Sequence, residues 1–229
     1  MSAKPFRHEL KFYISRVEYE LLSRRLSLTM DRDRYAQKTG KYFIRSLYFD
    51  DYQNSALVEK LEGTHSRDKY RVRIYNMKDT TIKLERKHKE GPYILKSSLS
   101  LTRKECDALL GGDYGFLLER KENFAHEMYA AFRTLALKPC VMIDYWREAY
   151  VFPMEDVRVT FDRDIRTAYR ATALFDAHLP TYPVVEGYDM VLEIKFNRYL
   201  PGYIRTLLQP VQNAQRSAVS KYCLCRKYE

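Results

Sequence analysis

The chain has 229 residues, enough for a sizeable core, and 45% hydrophobic residues with only eight glycines and eight prolines mark it as globular rather than disordered. Forty Lys and Arg against 30 Asp and Glu leave a net charge of +10, which favours an anionic partner: nucleic acid, a membrane surface, a nucleotide or a phosphate polymer. No apolar run approaches a membrane-spanning length, and the opening MSAKPFRHELKFYI lacks the apolar stretch of a signal peptide. The four cysteines form no CxxC pair and no zinc-finger spacing, so the expectation is a soluble, cytoplasmic protein with reduced thiols.

Strand patterns run from end to end of the chain, with helical ones between them. A first strand is expected at about 7–14. Ser15 with Glu18 is a capping box opening a helix to about Leu28, with Val17, Leu21, Leu22 and Leu26 as its apolar stripe. A strand at 42–49 precedes a short helix around 53–61, which Gly63 would end in a left-handed cap. Strands follow at 69–75, 80–87 and 93–99. Thr102 with Glu105 opens a second capped helix that stops at Gly111-Gly112, and 116–136 reads as one long amphipathic helix. Strands at 140–152, 157–162 and 189–197 and short helices around 201–208 and 216–224 complete the chain. Nothing divides it, so a single domain over 1–229 is expected, antiparallel α+β and plausible as a closed barrel.

Alternate residues of a strand face opposite sides, so KYRVRIY sets Arg71 and Arg73 against Val72 and Ile74. The same split recurs elsewhere. Arg7, Glu9 and Lys11 oppose His8, Leu10 and Phe12; Lys83, Glu85 and Lys87 oppose Ile82 and Leu84. Arg158, Thr160 and Asp162 oppose Val157, Val159 and Phe161; Glu193 and Lys195 oppose Leu192, Ile194 and Phe196. Arg147 runs in phase with Ile143 and Tyr145. One such strand is best read as having a wet outer face. Five faces of long basic residues with isolated glutamates suit instead a charged tunnel lining whose apolar exterior is covered by helices.

The ordered segments RHELKF, SLYFDD, KYRVRIY, IKLERKHKEG, DYWREAYV, VRVTFDRDI, VLEIKF and SAVSKY resemble the VTC-type polyphosphate polymerase domain of the triphosphate tunnel metalloenzyme superfamily. The resemblance runs from Arg7 to Lys221 and implies an eight-stranded antiparallel tunnel with helices packed outside. It further implies binding of a nucleoside triphosphate with a divalent metal, and either hydrolysis or polymerisation of the γ-phosphate. By position, the family's phosphate-binding residues fall on Lys11, Arg71, Arg73, Lys87, Lys96, Arg147 and Arg158, with Lys83 and Lys195 sharing those faces. The metal-binding glutamate falls on Glu193, the late lysine near the tunnel mouth on Lys221, and the first acidic position on Glu9.

Phosphoryl transfer needs in-line positioning and charge neutralisation more than covalent chemistry. Arginine forks two donors onto phosphate, and lysine supplies mobile point charges. One carboxylate suffices for Mg2+ or Mn2+ where phosphates and water complete the shell. The implied partners are ATP and inorganic polyphosphate, without membrane insertion. A nucleic-acid partner is not expected, because the basic residues follow strand parity and no helix-turn-helix, zinc finger or RNP-type motif is present. A polymerase is the leading reading; a triphosphate hydrolase and a non-catalytic polyphosphate-binding module remain open, as does the oligomeric state.

Overall fold

The computed structural model describes residues 8–36, 39–91, 93–184, 190–209 and 220–227. In chain order the elements are β1 (His8–Ile14), α1 (Arg16–Ser27), β2 (Asp31–Arg32), β3 (Tyr42–Asp50), α2 (Ser55–Glu62), β4 (Ser66–Tyr75), β5 (Lys78–Glu90) and β6 (Tyr93–Leu101). Then follow α3 (Arg103–Leu110), α4 (Asn123–Thr134), β7 (Lys138–Phe152), β8 (Val157–Tyr169), β9 (Tyr182–Pro183), β10 (Met190–Phe196), α5 (Gly202–Leu207) and α6 (Lys221–Cys225). Arg7 and residues 216–219, expected in the first strand and the last helix, lie outside the described residues. None of the helices so described is long and apolar enough to cross a membrane.

The chain divides into two compact units. Unit 1 comprises residues 1–43, 145–166 and 183–220, and unit 2 comprises 44–144, 167–182 and 221–229. In unit 1 the strand order is β1-β10-β8-β7, and in unit 2 it is β7-β3-β4-β5-β6, so β3, β7 and β8 contribute to both. The paired strands β1/β10/β8 and β3/β4/β5/β6 run antiparallel. The eight expected strands are all present. Two more, β2 and β9, are two-residue pairings at the side of the main path, too short to leave a periodic signal in sequence. Among the described residues the pairings run from β1 to β6 without closing on themselves, so the fold is α+β on a mostly antiparallel sheet, and hydrogen bonding does not establish the expected barrel.

Each unit buries the apolar parity of its strands under helices. In unit 1, Val159, Phe161, Leu192, Ile194 and Tyr150 pack with Leu22 and Leu26 of α1 and Ile204 of α5. In unit 2, Val72, Ile74, Ile82, Leu84 and Leu99 pack with Cys106 and Leu109 of α3 and with Met128 and Phe132 of α4. Both capping boxes form as expected, with Ser15 and Thr102 each accepting from the backbone of Glu18 and Glu105. Gly63 closes α2 at φ 76°, a left-handed conformation that glycine adopts without strain.

Two helices differ from expectation. The span 116–136 is not one helix: a 3-10 turn at Gly115–Leu117 is followed by α4, which starts only at Asn123. Arg120 lies in the break, its guanidinium donating to the Ser100 carbonyl at 2.9 Å and to Glu105 at 2.8 Å, while His126 meets its carbonyl at 2.8 Å. The α1 stripe is also narrower than the pattern: Leu22 and Leu26 are fully buried, while Val17 is 70% and Leu21 is 48% exposed. Adjacent residues should therefore differ sharply. Leu22→Ala should cost about 2–5 kcal/mol, whereas Leu21→Ala should cost under about 1 kcal/mol, measured by urea unfolding. Equal losses would contradict the placement of α1.

Candidate functional site

The charged parity of β4, β5 and β6 forms a register of cross-strand rows in unit 2. Lys69 faces Lys87 and Lys87 faces Lys96; Arg71 faces Glu85 and Glu85 faces Ser98; Arg73 faces Lys83 and Lys83 faces Ser100. Strand β3 adds Tyr48 opposite Arg71 and Ser46 opposite Arg73. The centre of this face is withdrawn from water, with Glu85 2% exposed, Arg73 8% and the Arg71 side chain 15%, whereas on β6 the Lys96 side chain is 47% exposed.

Glu85 organises the face. Arg71 donates to Glu85 through Nε at 2.7 Å and to the Tyr48 hydroxyl through Nη1 at 2.7 Å. Lys96 Nζ lies 2.5 Å from the other Glu85 oxygen, Oε1, and Arg73 Nη1 stands 3.9 Å from Oε2, the oxygen that Arg71 contacts, while its Nε donates to Ser46 at 3.1 Å. Burial works to raise the Glu85 carboxyl, but Arg71, Arg73 and Lys96 outweigh it and hold it well below the usual carboxylate range. Lys83 donates to Ser100 at 2.5 Å.

Lys69 was not among the residues singled out by sequence, though it lies in phase with Arg71 in the same strand. Its ammonium stands 4.6 Å from the Tyr222 ring centroid. Burial pushes it down to about 8, with Lys60, Lys87 and Arg67 adding to the effect. Burial likewise pushes Lys96 down to about 8, Arg71 and Arg73 adding and Glu85 opposing. Lys221 opens α6, whose next residue Tyr222 donates to Asp50 at 2.5 Å and accepts from Arg226 at 2.8 Å. Arg226 in turn reaches Asn54 at 2.7 Å. Asp50 and Asn54 each lie 172 residues from their partners Tyr222 and Arg226, so no local pattern announces those bonds.

In unit 1, Glu9 faces Lys195 and Lys195 faces Arg158, while Lys11 faces Glu193 and Glu193 faces Thr160. Here the basic residues have close carboxylates. Arg147 forks onto Asp162 at 2.6 and 2.7 Å, Lys195 meets Glu193 at 2.5 Å, and Lys11 meets Glu9 at 3.0 Å. Arg158 pairs with Asp33 and donates to the Tyr42 hydroxyl at 3.1 Å. Burial opposes the charge of Arg147, but Asp162 outweighs it and raises its pKa further. Asp33 and Tyr42 carried no signal in sequence; Asp162 was visible only as a member of a charged face.

The sequence-selected residues thus fall into two sets. Unit 1 holds Glu9, Lys11, Arg147, Arg158, Glu193 and Lys195, and unit 2 holds Arg71, Arg73, Lys83, Lys87, Lys96 and Lys221. Among the described residues, no group of three or more His, Cys, Asp or Glu is placed to share a cation. Glu193 is nonetheless suited to contribute one carboxylate: it is 5% exposed and sits beside Thr160, whose buried hydroxyl has no hydrogen-bond partner among the described residues. One carboxylate with phosphate and water oxygens fits a hard cation such as Mg2+ or Mn2+.

Two measurements check this electrostatic arrangement. Glu85→Gln would leave buried guanidinium groups without their counter-charge, a loss of about 3 kcal/mol at pH 7. The folded carboxyl titrates below an unfolded one, so its stabilisation is complete above about pH 5 and fades as pH falls further; the variant's deficit should shrink at pH 4. A deficit equal at both pH values, by urea unfolding, would assign the residue a packing role instead. Lys69 and Lys96, titrating near 8, should take up an amine-reactive acylating reagent at pH 8 ahead of lysines whose pKa is not depressed, as read by peptide mass mapping.

The VTC domain model matches residues 6–228. No protein of curated function matches the sequence. Among solved structures, a putative adenylyl cyclase from Hippeastrum, described as having a dominant triphosphatase activity, aligns with a TM-score of 0.54 at 14% identity, covering 96% of this chain and 95% of its own. A putative adenylate cyclase from Bacillus halodurans aligns with a TM-score of 0.52 at 13% identity, covering 94% of each chain. At these identities the likeness is one of fold. The motifs, the registered charged faces and the match over nearly the whole sequence agree: the chain belongs to the VTC domain family.

Proposed function

We propose that this protein is a polyphosphate polymerase, transferring the γ-phosphate of ATP to a growing polyphosphate chain with the help of Mn2+ or Mg2+. The observation that carries the reading is the row Lys69, Lys87 and Lys96, three cations facing one another across neighbouring strands. Like charges placed so are unfavourable unless an anion joins them. Unit 2 gathers more cations on this face than a single triphosphate needs, and three of them, Arg71, Arg73 and Lys96, share the buried carboxylate of Glu85. A hydrolase, whose product should leave, has little use for such a surplus, whereas a polymerase must hold a chain.

In this reading Arg71 and Arg73, fixed by Glu85, fork onto phosphate oxygens, and Lys83, Lys87 and Lys96 hold the polymer as point charges. Arg147 and Arg158, braced by Asp162 and Asp33, orient the reacting phosphates, with Lys11 and Lys195 nearby and Glu9 fixing Lys11. Lys221 guides the chain from α6. A divalent cation bound at Glu193 would neutralise charge on the phosphate oxygens. The second reading, a triphosphatase, is favoured by the activity described for the Hippeastrum protein. The two differ in whether phosphate or water attacks.

Incubation with ATP and Mn2+ should yield ADP and a polyphosphate ladder on a gel, with little free phosphate. Stoichiometric free phosphate without a ladder would establish the triphosphatase, and no ADP at all would leave a binding module. Glu193→Gln should keep nucleotide binding but lower turnover by orders of magnitude, and full activity would remove Glu193 from the mechanism. Lys221→Ala should shorten the ladder more than it weakens nucleotide binding.

A further inference from the structure

Thr160 occupies the middle of the charged face of β8, between Arg158 and Asp162. It is 3% exposed, and its neighbours on that face are satisfied: Arg158 by Asp33 and Tyr42, Asp162 by Arg147. Its own hydroxyl is buried without a hydrogen-bond partner among the described residues. A buried hydroxyl left unpaired is costly, and valine, nearly the same shape, would pack on the strand without that cost. The residue's surroundings say what could satisfy it. Across β10 it faces Glu193, and beyond that Lys11 on β1. Glu193 lies opposite with its Oε1 on Lys195 at 2.5 Å and takes no hydrogen bond from this hydroxyl, which leaves the acceptor to a ligand.

We propose that the Thr160 hydroxyl donates a hydrogen bond to a phosphate oxygen of the bound substrate, beside the carboxylate of Glu193. The inference rests on the phosphate-binding reading of this face but not on polymerisation. Thr160 is then a substrate-binding residue whose partner is absent until ligand arrives. Its hydroxyl is a donor that adds no charge, which lets it approach a phosphate next to a carboxylate where a further cation would pair with Glu193 instead.

Tripolyphosphate, followed by titration calorimetry and thermal melting without metal and with Mg2+, tests this. Thr160→Val should melt at or above the wild-type temperature when free of ligand, because an unpaired hydroxyl has been removed. It should bind tripolyphosphate about tenfold more weakly, with or without metal, as expected for loss of one hydrogen bond to a charged group. Thr160→Ser should restore affinity. Equal affinity in Thr160→Val and wild type would overturn the contact while leaving phosphate binding intact. A deficit seen only with Mg2+ would assign the hydroxyl to the cation's water shell and overturn the phosphate contact. No binding of tripolyphosphate by the wild type would overturn both this contact and the reading on which it rests. Binding without any ladder from ATP would sink only the polymerase.

Discussion

Long basic side chains cannot be turned away from water unless something negative replaces it, and that constraint shapes this protein more than any other. Removing a guanidinium or ammonium from solvent is tolerable only with a partner at short range. The two units meet the requirement differently. In unit 1, Lys11, Arg147, Arg158 and Lys195 each have a carboxylate at hand in Glu9, Asp162, Asp33 and Glu193. In unit 2, Glu85 is shared among Arg71, Arg73 and Lys96, and Lys69 and Lys87 share its face.

The contrast has chemical meaning. A balanced set holds groups in fixed orientation and changes little in net charge. A set with surplus cations is preorganised for a mobile anion, because its charges are positioned before the ligand arrives and its field is only partly screened by solvent. Arg45 shows a third solution. It lies on the core-facing parity of β3, forks onto Asp144 at 2.8 and 2.7 Å and donates to the carbonyl of Asp176 at 2.5 Å. That arginine is structural, although by residue type alone it is indistinguishable from Arg71 and Arg73.

How much of this was legible in sequence follows from how local each feature is. Strand parity is a property of adjacent residues, so the charged and apolar faces were readable directly, as were both capping boxes at a spacing of three. The break before α4 was not, because it depends on Arg120 reaching residues 15 and 20 positions away. The exposure of Val17 and Leu21 was hidden for the opposite reason: their spacing fits a stripe, but the sheet meets only the Leu22–Leu26 side. Lys69 was in plain phase with Arg71, and parity carried one residue further would have found it. Asp33 and Tyr42 could not be found that way, since their partner Arg158 lies more than a hundred residues on.

The chain's route through its two units carries a cost in time. Unit 2 begins at Ile44, yet it includes α6, which follows the whole of β10 and α5. The hydrogen bond from Tyr222 to Asp50 spans 172 residues, as does that from Arg226 to Asn54. A nascent chain emerging from the ribosome therefore holds the buried Asp50 carboxylate without these partners until almost the last residue described is made. Closing so long a loop is entropically expensive and slow, and such late closure exposes intermediates to misassembly. Folding of unit 2 is thus expected to finish only after synthesis has passed Arg226.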